Sequence, residues 1–264
     1  MEVISITRHT VPPAVLLRRL FEASQPHASD GLAECLTLDR ARRDLAAGSE
    51  ILRGDGVEPN AWLLVSGVAG EVRTLADGRR QVIALRLPGD VLQGDTTEAV
   101  SALTPVELVN ALSIIRALGE KSAHYQPLRR AWVAATRVEQ GRLRDHIIRL
   151  GGLSAFERMA HLFMEVHDRL GRVGLATPSS FHLPVKQDVI ADLLGLSVVH
   201  VSRTVQSLKR DGLAHIRSGY VTVLDRRRLA QVGHYVSRFA SPPASAWPAT
   251  TPLSVVNERF ANVH

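Results

Sequence analysis

The sequence holds a single cysteine, Cys35. One thiol excludes an internal disulfide and any metal or cluster site built on cysteines alone. No stretch approaches the roughly 20 apolar residues that span a bilayer. The start, MEVISITRHTVPPAVLLRRLFEAS, sets two prolines and an arginine pair where a secretory signal needs an unbroken apolar run. A cytoplasmic protein with no membrane partner is the expectation. Catalytic signatures are also missing. There is no nucleophile elbow, paired-carboxylate arrangement, phosphate loop or metal-ligand spacing, which makes an enzyme the weakest reading.

What is present describes an ordinary globular chain with room for two domains: 264 residues, 45% hydrophobic and 22% charged. The formal net charge is +6, from 32 Lys and Arg against 26 Asp and Glu. That excess is uneven. Residues 184–239 carry nine Lys or Arg against four Asp or Glu, leaving five of the six surplus charges there. A basic half of this kind suits a phosphate-facing surface, although charge alone is weak evidence.

The most informative stretch is HLPVKQDVIADLLGLSVVHVSRTVQSLKRDGLAHIRSGYVTVL, His182 to Leu224. Val189, Ile190, Leu193 and Leu194 give an apolar stripe for a helix from about Lys186 to Leu194. Gly195 supplies the left-handed residue of a tight turn. Ser197 can cap a second helix running to about Asp211, which Gly212 can end. Ala191 is small where the helices cross, and Val201 fills their angle. LAHIRSGYVTVL then alternates about Ser218-Gly219, as a hairpin wing does. The bland alternative is a helical hairpin in a core. Such a helix would not expose His200, Ser202, Arg203, Gln206, Lys209 and Arg210. The stretch therefore reads as a winged helix-turn-helix, a DNA-reading module.

The rest of the chain divides around it. Residues 1–30 form an N-terminal arm, where Pro13 can open a short helix burying Val15, Leu16, Leu20 and Phe21. Leu32 to Ala47 is expected to contain another short helix. From Gly48 to Leu118, short runs broken by Asp77-Gly78 and Pro88-Gly89-Asp90 suggest six to eight antiparallel strands in a barrel or jelly roll. VELVNALSII reads as one of these strands. A long helix is expected over 127–150. Gly151-Gly152 reads as a hinge, and Ser154 and Glu157 as a capping box for a helix to about Leu170. DRRRLAQVGHYVSRF should form a last helix with Leu229, Val232 and Val236 inward. Residues 241–264 are a proline-rich extension. The fold class is α+β: an antiparallel sensor domain over 31–126, the long helix, and a winged helix-turn-helix domain over 151–240.

Leu183 to Leu224, with GLSVVHVSRTVQSLKRDGL at its core, resembles the C-terminal domain of the Crp/Fnr family of bacterial transcription regulators. SGVAGEVRTLADGRRQVIALRLPGD is similar to that family's cyclic-nucleotide-binding-like domain. The resemblance implies a homodimer on a palindromic operator in double-stranded DNA, with RNA polymerase as a further partner. It places Val199, Ser202 and Arg203 at base edges, Arg203 fitting the arginine that pairs with guanine. Many members carry glutamate where Val199 stands, so His200 takes over some reading or Val199 meets a thymine methyl. Lys186, Gln187, Ser197, Lys209 and Arg217 fall to phosphate contacts. The long helix becomes a dimer seam through Leu128, Trp132, Thr136, Glu139, Leu143, Ile147 and Leu150.

No cofactor is expected. In members that bind cyclic nucleotides, a Gly-Glu pair and an arginine follow the Pro-Gly-Asp turn. Here no Lys or Arg stands between Arg86 and Arg116, while Asp90, Asp95, Glu98 and Glu107 do. Gly94-Asp95 only echoes the pair, and a cyclic phosphate lacks its charge-assisted donors. His9, His27, Cys35 and His124 are heme-ligand candidates by residue type alone, since no spacing links them; scattered histidines are more often surface residues. Cys35 is either a thiol sensor or a small buried hydrophobe. The alternative retained is a regulator whose barrel takes a small molecule or heme.

Overall fold

The computed structural model describes residues 12, 13, 15–17, 41–53, 60–93 and 98–238. His9, Leu20, Phe21, His27, Cys35, Gly94, Asp95 and the extension 241–264 lie outside them. Two four-stranded antiparallel sheets make the N-terminal part, built from β1 (Arg42–Leu45), β2 (Glu50–Leu52), β3 (Ala61–Ser66), β4 (Ala69–Thr74), β5 (Arg80–Arg86), β6 (Val91–Gln93), β7 (Ala99–Ala102) and β8 (Val106–Asn110). Their orders are β1-β8-β3-β6 and β2-β7-β4-β5. This is a jelly-roll-like pair of sheets rather than a closed barrel.

Strand period decides what each sheet covers. Along β3, Ala61, Leu63 and Val65 face one way and join Val109, Ile114, Ala117, Leu128 and Ala131. Leu16 and Leu17, from a helical turn that includes Pro13, close the same cluster. Leu64 faces the other sheet, among Leu52, Ala69, Leu92, Val100 and Leu108.

Two sequence expectations change here. Residues 42–45, inside the stretch expected to contain a short helix, form β1. They pair residue by residue with β8, where Arg42 also reaches Glu107 at 2.7 Å and Arg43 lies over Trp62. The β8 strand stops at Asn110, because its side-chain oxygen accepts from Leu112 N at 2.8 Å and opens α1 (Leu112–Gly119). ALSII is therefore turn and helix, not strand.

After a 3-10 turn, α2 (Gln126–Gly152) runs 27 residues, about 40 Å. The glycine pair read as a hinge is its last turn, and the chain breaks at Leu153. Ser154 and Glu157 make the full capping box on α3 (Ala155–Arg172). Then come β9 (Ser180–His182), α4 (Gln187–Leu194), α5 (Val198–Arg210), β10 (Ala214–Arg217), β11 (Tyr220–Val223) and α6 (Arg226–Val232). Helix α6 ends where Gly233 lies flat on α3; a Cβ there would sit 2.6 Å from His161 N. Leu229 is buried as expected, but Val236 falls past that stop and is exposed.

One apolar cluster runs through the C-terminal part and into the second sheet. Phe163, Val166, Phe181, Leu194, Val201 and Val221 share it with Val68, Val72, Val82 and Leu85. Two histidines are caught inside. His161 donates from Nδ1 to Gly233 O at 2.9 Å. His167 meets Thr177 O through Nε2 at 2.8 Å and Arg226 through Nδ1 at 2.8 Å. A guanidinium can only donate, so His167 Nδ1 accepts and the ring is neutral.

Burial depresses both histidines below the usual value of 6.5, against the opposing pull of their carbonyl partners. The unfolded chain therefore takes up protons below about pH 6.5 that the folded chain refuses. Stability should be level above that pH and fall as the pH drops below it. Thermal melts between pH 7.5 and about 5 should show this, and His167→Gln should flatten the acid limb. An unchanged slope in the variant would mean that His167 plays no part in the acid transition.

Candidate nucleic-acid interface

The reading head is built from the turn outward. Gly195 adopts φ 61°, and the amide of Leu196 returns to Ala191 O at 3.0 Å. A Cβ-bearing residue would be strained in that conformation. Arg158 of α3 donates to Leu194 O at 2.9 Å, satisfying one of the carbonyls left open at the end of α4. Ser197 caps α5 by accepting from His200 N at 3.2 Å. Thr204 folds its hydroxyl back to His200 O at 2.8 Å.

Helical spacing then splits α5 into two faces. Val201, Thr204 and Leu208 point into the core. Val199, His200, Arg203, Gln206, Lys209 and Arg210 point out, and Ser202 is half-buried between them. Val199 is 61% exposed, an apolar side chain in water at the entering end of the helix. Lys186 and Gln187 stand exposed at the start of α4, beside the turn.

The wing is a two-residue hairpin. Arg217 pairs with Tyr220, and Ser218 and Gly219 both take positive φ, as a type I′ turn requires. Arg217 is exposed at its tip. The sequence reading missed its third strand: β9 pairs with β11, and His182 stacks on the half-exposed Tyr220 with ring centroids 4.4 Å apart. Alternation in YVTV carried Tyr220 as an outward strand residue. Nothing local to a three-residue segment marks β9.

The far end of α4 is moored to the first domain. Asp192 accepts from Val82 N of β5 at 3.1 Å, across 110 residues of sequence. The outward face of α5 is left clear of these contacts.

The residues assigned to a dimer seam share a helix face but not one environment. Leu128 is 1% exposed and belongs to the core of its own sheet, and Trp132 packs on the same cluster. Leu128 is thereby removed from the seam. Glu139 turns inward to Arg86, at 2.9 Å, and to Arg142. Leu150 is half-buried. Thr136, Leu143 and Ile147 stay open, Leu143 at 48% and Ile147 at 69% exposure. Val133 and Ile148, which the sequence reading passed over, extend this open stripe at 50% and 59%. Period alone could not tell the N-terminal part of this face, covered by the chain's own sheet, from the C-terminal part left open.

Of the remaining candidates, His124 is exposed in the 3-10 turn. Among the described residues no group of three or more His, Cys, Asp or Glu is arranged to hold a metal ion. Among them, too, no helix is long and apolar enough to cross a membrane.

A tight left-handed turn between crossing helices, a basic outward helix and a two-residue wing define a DNA-binding protein of the winged helix-turn-helix class. A family model described as the Crp-like helix-turn-helix domain matches residues 157–232. Nitrogen fixation regulation protein FixK of Azorhizobium caulinodans is 31% identical, covering 71% of this chain and 77% of its own length. The FixK of Bradyrhizobium diazoefficiens is 30% identical, covering 75% and 88%. Transcriptional activator protein FnrL of Cereibacter sphaeroides is 29% identical over 86% and 95%. The solved structure of FixK2 from Bradyrhizobium japonicum superposes with a TM-score of 0.61 at 28% identity, over 75% of this chain and 98% of that one. The chain belongs to the Crp/Fnr family and is a DNA-binding transcription regulator.

Proposed function

We propose that the chain acts as a homodimer that reads an inverted-repeat operator with α5. The observation that carries this is the division of α5, whose outward face presents Val199, His200 and Arg203 near its N-terminal end with Ser202 at its edge. Arg203 pairs with a guanine, and Val199 meets a thymine methyl where other members accept from cytosine. Lys186, Gln187, Ser197, Lys209 and Arg217 hold phosphates and set register. The Ser197 oxygen is already engaged as the helix cap, which leaves its hydroxyl proton for a phosphate.

A dimer follows from the unspent stripe on α2. Four exposed aliphatics, Val133, Leu143, Ile147 and Ile148, along one helix are costly in water and suit a second copy of the same helix. Two-fold pairing there would set two recognition helices about 34–36 Å apart, one turn of DNA. In the cytoplasm RNA polymerase would be the second partner.

Selection of bound sites from random duplexes should return an inverted repeat with half-sites about 10 base pairs apart. Replacing both Leu143 and Ile147 by Asp should yield a monomer by light scattering. That variant should lose operator affinity by at least about 100-fold, since only one half-site is held at a time. A dimer that survives both substitutions would move the interface elsewhere.

A further inference from the structure

Where β5, α2 and α3 meet, a partly open cleft of about 30 Å³ is lined on one side by Leu85, Leu162 and Leu193. Its other side carries Glu139, Arg142, His146, Arg149, Glu165 and Arg169. We propose that this cleft is a binding site for a small inorganic anion of about the size of chloride.

Donors outnumber acceptors in this cleft. Arg169 spends Nη2 on Asp90 at 2.6 Å and on Leu85 O at 3.0 Å, and Nη1 on Glu165 at 3.4 Å. Arg149 donates from Nη2 to His146 Nδ1 at 3.2 Å and lies 3.1 Å from Glu165 as an ion pair. That leaves Arg149 Nε, Arg149 Nη1 and Arg169 Nε enclosed with no partner, on side chains 4% and 7% exposed. Most of the nearby carboxylate oxygens are already committed. Asp90 serves Arg169 and Leu87 N, Glu71 serves Arg86, and Glu139 serves Arg86 and Arg142. Glu165 accepts from Arg169 through Oε1, while its Oε2 lies 3.1 Å from Arg149 without a hydrogen bond, so three unpartnered guanidinium nitrogens stand against one unpartnered oxygen.

The lining itself holds three arginines against two glutamates. An enclosed guanidinium N–H without an acceptor is costly, and an added anion answers several at once. The space holds one or two bodies the size of water, which a halide matches and a nucleotide exceeds. Burial and the charge of Arg169 both press against protonation of Arg142, and a bound anion would relieve the second of these. His146 is held neutral by burial and by Arg149, so it adds no charge of its own.

The consequence for DNA binding rests on the reading given under Proposed function. The anion would sit between the long helix, the second sheet and the reading domain, and so tighten their docking. Chloride NMR tests the site without DNA. The wild-type full chain should broaden the chloride resonance saturably, and nitrate but not gluconate should compete. Arg149→Met should abolish the saturable part, while Arg79→Ala, on an exposed hairpin, should keep it. Circular dichroism establishes that each variant is folded; Arg149→Lys, which keeps a charge but loses the fork, is read alongside and should also fail to bind. Saturable broadening that survives in both Arg149 variants, or none in the wild type, overturns the proposal. Operator affinity at fixed ionic strength should then respond to replacing gluconate by chloride in the wild type and not in Arg149→Lys. A bound anion with an unresponsive operator affinity would overturn the coupling alone.

Discussion

Arg203→Ala is expected to lose operator DNA while keeping most of its hold on random duplex. A bidentate arginine–guanine contact is worth about 1–3 kcal/mol of discrimination. The dimer proposed above would make that contact twice, so the operator should lose roughly 2–6 kcal/mol, or about 30-fold to more than 10,000-fold in affinity. Random duplex should lose no more than a single phosphate-type interaction per subunit. The side chain is exposed and outside the buried face of α5, so the fold should not suffer. Lys186→Ala gives the opposite pattern: both duplexes weaken together, and the slope of log affinity against log salt falls by about 0.9 for each phosphate no longer neutralised. Fluorescence anisotropy on the selected operator and on a scrambled duplex, over a salt series, separates the two. Equal losses on both duplexes for Arg203→Ala would take base reading away from Arg203.

Arg169→Met should give the largest loss of stability. Arg169 ties α3 to Asp90 and to the carbonyl of Leu85, with both side chains of the ion pair mostly enclosed. Removing one partner leaves the other charge without compensation in a low-dielectric setting, which costs about 3–5 kcal/mol. Burial would raise the Asp90 carboxyl, but Arg169, Arg142 and Arg86 together hold it below its usual range. Without Arg169 it should take up a proton more readily. Asp90→Asn with Arg169→Met should therefore recover part of the loss, since no charge remains stranded. Urea unfolding of the single and double variants gives the coupling. Strict additivity would mean that the pair contributes only through packing.

The sequence was most legible where local chemistry decides the structure. Gly195, Ser197, Ser218-Gly219 and the Ser154–Glu157 box each fix a backbone conformation locally, by a missing Cβ or by a capping side chain, and each stands where the pattern put it. What escaped depends on partners distant in the chain. Residues 42–45 are a strand because β8, some 65 positions on, accepts them. Leu128 and Ile147 look alike on a helical wheel, yet one meets the chain's own sheet and the other meets solvent. Asp192 reads as a solvated carboxylate of a helix, and its bond to Val82 exists only because β5 passes beside it. The arginines of the three-way junction are likewise scattered over α2, α3 and β5, with no spacing to gather them.

The unbroken apolar cluster has a consequence for how the molecule comes apart. Since Val68, Val72, Val82 and Leu85 are packed into the same interior as Phe163 and Val201, the DNA-reading half is not a bead on a string. Cutting the chain near Leu153 would strip one wall from that interior and leave greasy surface in water. The two halves should therefore melt together, in a single calorimetric transition rather than two.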